Sequence, residues 1–245
     1  MGRRAVAAGV KFSVHGEGTP LLFVLGWGND PSQDNVAWLL DALADAGYEV
    51  HAATIPTNVS SFEREYRQPV ASYAADREFD AVLSHSTGGL VVAHLDWDVR
   101  RVYLSPWWGV KPGLQSLFLP WFAKLPTSER LLPSGAEDAV GDIEESTPRE
   151  GPGGLSPAFA REIQRAQSSL PPFREGSTVF CTLTDELVSV PAIGERTPAA
   201  NLRVYDGSHE FFSSSGRENV LEDVLAALAD GPGAVSGRTA GRRDD

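Results

Sequence analysis

Phe79-Asp80-Ala81-Val82-Leu83-Ser84-His85-Ser86-Thr87-Gly88-Gly89-Leu90-Val91-Val92 is a short apolar run that ends in serine, followed by three small residues and a second apolar run. The pattern predicts a strand, a sharp turn and a helix, with Ser86 at the apex. A turn of that shape pushes the apical side chain out of the sheet. The helix behind it offers free backbone N–H groups to an oxyanion. Its tightness requires small residues two before and two after the apex, and Ser84 and Gly88 meet that need. An ordinary strand-to-helix turn, with Ser84 or Ser86 as N-cap, uses the same residues, because serine is a preferred cap.

Here the chain resembles the α/β-hydrolase superfamily, whose nucleophile elbow reads G-x-S-x-G. This sequence has S-H-S-T-G, so Ser84 stands in place of the first glycine. The resemblance implies an α/β fold, with a mostly parallel central sheet, helices on both faces and an inserted cap. It also implies that the loop after an earlier strand supplies a second oxyanion donor.

Working outward, residues 10–15 alternate as a first strand, turned by Gly16-Glu17-Gly18-Thr19-Pro20. Residues 21–25 are continuously apolar, as expected of a central parallel strand covered on both faces. That run ends at Gly26-Trp27-Gly28-Asn29-Asp30, where the resemblance assigns the second oxyanion donor to Trp27. The family more often begins this loop with His-Gly, so the donor could sit one residue away, and a plain turn is the alternative.

Residues 36–46 predict a helix that buries Trp38, Leu39, Leu40 and Leu43, with Gly47 as C-cap. A strand follows at 48–54, then a helix at 62–75 interrupted near Pro69. The elbow strand leads into a helix at 87–94, and 101–105 is a further strand. Strand and helix alternation then stops. Residues 106–172 are rich in proline, glycine and aromatics, too long for one loop in a compact domain. They predict short helices at 114–124 and 158–168, and the resemblance makes them a cap over the site. Trp107, Trp108, Phe118, Trp121 and Phe122 would line the pocket beneath it, or else pack the cap onto the sheet. Residues 137–150 carry six acidic residues against Arg149 alone and read as a solvated segment.

Regular pattern resumes with strands at 178–184 and 201–205 and a helix at 218–229. The expected organisation is a core of residues 1–105 and 173–230, a cap of 106–172, and a disordered tail at 231–245.

Ser86, Asp185 and His209 all fall at the carboxyl ends of predicted parallel strands, where α/β sheets place their sites. Their order, nucleophile then acid then histidine, is that of the resembled family. Serine is a poor nucleophile until an imidazole takes its proton, and the imidazole needs a carboxylate to fix its tautomer. Glu186 and Asp206 are rival acids. Asp185 is preferred because it directly follows its strand, whereas Asp206 is too close to His209 and reads as a turn former. With Thr87 and Trp27 as oxyanion donors, the expected activity is hydrolysis of small to medium apolar carboxylic esters through an acyl-enzyme, without a cofactor. Amide, thioester, lactone or C–C hydrolysis and perhydrolysis would use the same triad. A receptor-like protein that binds a ligand on this fold with negligible turnover is the competitor from another class.

Composition bounds the rest. At 245 residues and 42% apolar, the chain fits one α/β domain with an insertion, or a small domain pair. The two arginines near the start precede an apolar stretch too short for a signal-peptide core, which predicts a cytoplasmic protein. Cys181, the single cysteine, excludes an intramolecular disulfide and any multi-cysteine metal site. A net charge of −12 argues against nucleic acid or anionic membrane as partner and leaves a small-molecule substrate. Only Lys11, Lys111 and Lys124 are lysines, and this acidic, lysine-poor texture suggests a protein that works in concentrated salt. An arginine-favouring, GC-rich genome would produce much of the same bias.

Overall fold

The computed structural model describes residues 9–111, 113–133, 141–146 and 152–235, the side chains of 114–117 excepted. Among them, β1 (Lys11–His15), β2 (Thr19–Val24), β3 (Tyr48–Thr54), β4 (Ala81–His85), β5 (Arg100–Leu104), β6 (Thr178–Thr182) and β7 (Leu202–Tyr205) form one sheet. The order across it is β1-β3-β2-β4-β5-β6-β7. β1 pairs antiparallel with β3, and every other pairing is parallel. β4 is buried at every position, its Ser84 and His85 included, as expected of a central parallel strand covered on both faces.

Alternation along β2 divides the core in two. Leu21, Phe23 and Leu25 join α1 (Asp34–Asp45) and α7 (Arg217–Asp230) on one face, through Val36, Leu39, Leu40, Val220 and Val224. Leu22 and Val24 point to the other face, with α2 (Gln68–Ala75) and α3 (Thr87–Ala93). The break expected near Pro69 is a π-helical turn at Glu63–Arg67 that runs into α2, with the proline in the first turn of the α-helix. A missing N–H costs nothing there.

The insertion holds α4 (Leu114–Phe122) and α5 (Pro157–Ser168), with an isolated bridge between Leu132 and Leu155. Ser156 caps α5 by accepting from the Phe159 amide at 3.1 Å, and its hydroxyl donates to Asn58 at 2.6 Å. Phe159, Ile163 and Ala166 belong to the same apolar cluster as β2 and α3, so α5 is part of the core. α4 sits outside it, joined through Phe122, Ala123 and Ala160.

Three expectations are corrected. A helix not anticipated, α6 (Val190–Arg196), follows β6; it is only seven residues long, holds Pro191 and Gly194, and is capped by Ser189. The tail expected to be disordered from 231 instead makes a 3-10 turn at Pro232–Val235, because Val235 is fully buried and Arg203 donates to the Pro232 carbonyl at 2.9 Å. Residues 236–245 lie outside the described residues, as do 137–140 and 147–150 of the acidic segment. The part described, 141–146, is tied down rather than merely solvated: Ile143 donates to the Ser213 carbonyl at 2.9 Å and accepts from Asn35 at 3.1 Å. Among the described residues no helix is long and apolar enough to cross a membrane.

Candidate active site

Ser86 joins β4 to α3 with φ 49° and ψ −115°, a conformation that costs a non-glycine residue about 1–3 kcal/mol. Neighbours on both sides hold it there. Its amide donates to the Leu104 carbonyl at 3.0 Å, and its carbonyl accepts from Trp107 at 2.9 Å and Gly89 at 3.0 Å. The glycines after it have separate reasons. A Cβ on Gly88 would lie 2.1 Å from the Val24 carbonyl oxygen, and one on Gly89 would lie 2.7 Å from Pro106. Ser84, in the place the family usually gives to glycine, fits between β4 and β5, with its hydroxyl 3.4 Å from the Val102 carbonyl. Ser86 itself is 8% exposed, with its side chain at the carboxyl edge of the sheet.

His209 and Asp185 reach the same edge from β7 and β6. The His209 Nδ1 lies 2.8 Å from Asp185 Oδ2, with both residues buried. The other Asp185 oxygen accepts from the amides of Leu187 at 2.8 Å and Val188 at 2.9 Å. Burial pushes the Asp185 pKa up. The His209 hydrogen bond and charge, with those two amides, outweigh it and hold the carboxyl below the usual carboxylate value. Glu186 and Asp206 are exposed, and neither bonds the ring. Tyr205 ties the histidine loop to the sheet: its hydroxyl lies 2.8 Å from the Ser208 carbonyl, 3.1 Å from that of His209, and 3.0 Å from Ser105 Oγ. Ser105, at the end of β5, is the second non-glycine residue with positive φ, at 41°. Among the described residues, no hydrogen bond joins Ser86 to His209.

Thr87, first in α3, is fully buried, and its amide precedes the first intrahelical bonds, which Gly89 and Leu90 donate to Ser86. The Trp27 amide has no backbone acceptor among the described residues. Its indole donates to the Thr57 carbonyl at 2.7 Å and its ring stacks on Phe159 at 5.2 Å. The aromatics assigned to the pocket are scattered. Trp107 is half-buried, 6.2 Å from Phe159, and follows the peptide that bonds Ser86. Trp108 is packed in the core, edge-on to Tyr103 and Phe173. Phe122 is buried between α4 and α5, while Phe118 and Trp121 are 57% and 70% exposed.

The sequence reading passed over a buried polar chain beneath this edge. His85 Nδ1 lies 2.9 Å from Asn29 Oδ1, Asn29 Nδ2 donates to Glu210 Oε1 at 2.8 Å, and Glu210 Oε2 accepts from Ser213 at 2.7 Å. The His85 ring is 4.8 Å from that of His209, centroid to centroid. Burial, then the His209 charge, pushes the His85 pKa down to about 3, so it is a neutral imidazole. Direct adjacency of His85 to Ser86 and of Glu210 to His209 was the available signal. Nothing local pairs them with Asn29.

No family model matches this chain, and no curated protein sequence is significantly similar to it. Solved structures are similar in fold. Monoacylglycerol lipase from Paleococcus ferrophilus aligns over 90% of this chain and 98% of its own, with a TM-score of 0.71 at 14% identity. An alpha/beta hydrolase fold protein from Burkholderia ambifaria aligns over 90% and 93%, with a TM-score of 0.56 at 19% identity. The enol-lactonase from Burkholderia xenovorans aligns over 90% and 96%, with a TM-score of 0.60 at 12% identity. The chain has the α/β-hydrolase fold.

Proposed function

We propose that this protein is a serine hydrolase that cleaves carboxylic esters of small to medium apolar substrates. The observation that carries the reading is the strained Ser86 at the strand–helix apex, on the same sheet edge as the buried Asp185–His209 pair. Ser86 attacks the acyl carbon while Nε2 of His209 takes its proton. Asp185 holds the ring as the Nδ1–H tautomer and stabilises the imidazolium. The Thr87 and Trp27 amides receive the oxyanion. The same Nε2 returns the proton to the leaving alcohol, then activates water against the acyl-enzyme. Trp27 and Trp107, both partly buried, pack against the buried Phe159, and the Trp107 amide bonds the Ser86 carbonyl; this aromatic surface next to the serine turn favours an uncharged acyl group. The insertion of residues 106–172 serves as the cap, anchored to the core through α5.

The test is labelling by a fluorophosphonate, followed by a panel of acyl esters extended to thioesters, amides and lactones. Wild type should label and turn over esters. Ser86→Ala should abolish labelling and lower hydrolysis by about 10³-fold or more. Turnover that survives Ser86→Ala would remove the nucleophile assignment, and labelling without turnover would favour a ligand-binding role.

A further inference from the structure

We infer that Asn29, bonded to His85 on one side and Glu210 on the other, is a positioning residue that holds the serine turn and the histidine loop in register. The inference rests on the serine-hydrolase reading above and deepens it. His85 precedes Ser86, Glu210 follows His209, and Asn29 lies two residues beyond Trp27. One side-chain amide therefore joins the elements that carry nucleophile, base and oxyanion donor. These elements leave the sheet from β4, β7 and β2. β4 and β7 are separated by β5 and β6, so no strand pairing fixes one against the other.

The chemistry of the chain sets its direction. A carboxylate only accepts, so Asn29 turns its NH₂ to Glu210 and its carbonyl to His85. That carbonyl requires a proton on His85 Nδ1, which leaves Nε2 a bare lone pair. Nε2 is buried without a close hydrogen-bond partner among the described residues, so the Asn29 bond, with the edge-on contact to Phe212 and the neighbouring His209 backbone, orients the ring. Asn29, His85 and Glu210 are each at most 3% exposed, and a buried bond to a charged group is worth more than an exposed one. Gly26 leaves room for the chain. A Cβ there would lie 2.5 Å from both Asn29 Oδ1 and His85 Nδ1, inside the bond between them. A shift of either loop moves a reacting atom one residue away, and about 1 Å of misplacement can cost about 10²-fold in rate.

The test compares Asn29→Ala, Glu210→Ala, their double variant and Glu210→Gln with wild type. The readouts are kcat and KM on a p-nitrophenyl ester, the rate of fluorophosphonate labelling, and the thermal midpoint. Asn29→Ala should lower kcat and labelling about 10- to 100-fold while KM moves less than about threefold. Glu210→Gln keeps an acceptor for Asn29 and should retain kcat within about threefold of wild type, and the double variant should fall no further than Asn29→Ala, as expected of one coupled unit. Should Asn29→Ala not fold, Gly26→Ala carries the test, because it intrudes on the chain and leaves its members intact. Wild-type kcat and labelling in folded Asn29→Ala or Gly26→Ala, or a loss confined to KM, would overturn the inference and leave the hydrolase reading standing. A wild type that neither labels nor turns over esters would overturn both.

Discussion

Two histidines stand at the site with their rings 4.8 Å apart, and their surroundings separate their roles. His209 has a carboxylate on Nδ1, whereas His85 has an amide carbonyl. The neutral state of His85 has a measurable consequence. Its pKa is about 3 in the folded protein against an ordinary 6.5. Below pH 6.5 the unfolded chain therefore takes up a proton here that the folded chain refuses until pH nears 3. Stability is lost as pH falls through that window, with a slope approaching about 1.4 kcal/mol per pH unit. Glu210 and Asp185 oppose the shift, and His209 adds to it. Urea unfolding from pH 6.5 downwards should show a shallower loss for His85→Gln than for wild type; equal slopes would show that the imidazole is not held neutral. Asp185 acts in the same sense in a lower window. Its folded pKa lies below 3.8, so the stability it contributes is present above pH 3.8 and lost as pH falls through the folded value. Asp185→Asn should lower kcat by about 10⁴-fold, because the imidazole then takes the wrong tautomer. Full activity in that variant, with a loss in Glu186→Gln or Asp206→Asn instead, would move the acid elsewhere.

At the scale of elements, the elbow combines one demand that is absolute with one that is not. Gly88 abuts the backbone oxygens of Val24 and Leu25 at the end of β2, which cannot give way, whereas Ser84 occupies a space with an acceptor ready for its hydroxyl. Gly88→Ala should therefore destabilise by about 3 kcal/mol or more, while Ser84→Gly should change stability by about 1 kcal/mol or less. Denaturant midpoints decide it: equal effects of the two changes would mean that the turn is looser than its geometry implies. This contrast also marks what the sequence could reveal. Strand, turn and helix were legible because residues 79–92 carry their reasons locally, and the break before α2 because Pro69 does. α6 escaped because seven residues with an internal glycine show too little period. The link from Asn29 to Glu210 spans 181 positions, and only the folded sheet brings its members together. Val235 escaped for a related reason, since one apolar residue in a glycine-rich tail makes no pattern until α7 is in place above it.

Across the whole molecule, the fold follows from a few continuous apolar runs that had to be covered on both faces, whereas the pocket aromatics did not follow from type alone. Trp108 and Trp121 are the same residue type in the same insertion, yet one is in the core and the other is 70% exposed. Charge is the property of the whole chain that composition does state. Acidic residues outnumber basic ones by 33 to 21, and only three of the basic residues are lysine. Exposed ion pairs such as Arg67–Glu63 and Arg174–Asp96 give salt something to weaken, but each is worth about 1 kcal/mol or less. Against them stands the repulsion of a −12 charge carried by a chain of 245 residues. At about 1 M salt the screening length is about 3 Å, short enough to remove that repulsion between surface carboxylates while leaving the buried Asp185–His209 contact largely intact. The net effect of salt should therefore be stabilising. A titration with KCl from low to molar concentration should raise the thermal midpoint or hold it level, with labelling by a serine probe retained throughout. A midpoint that declines steadily across the titration would show that local pairs outweigh the overall repulsion, and codon bias would then account for the acidic composition.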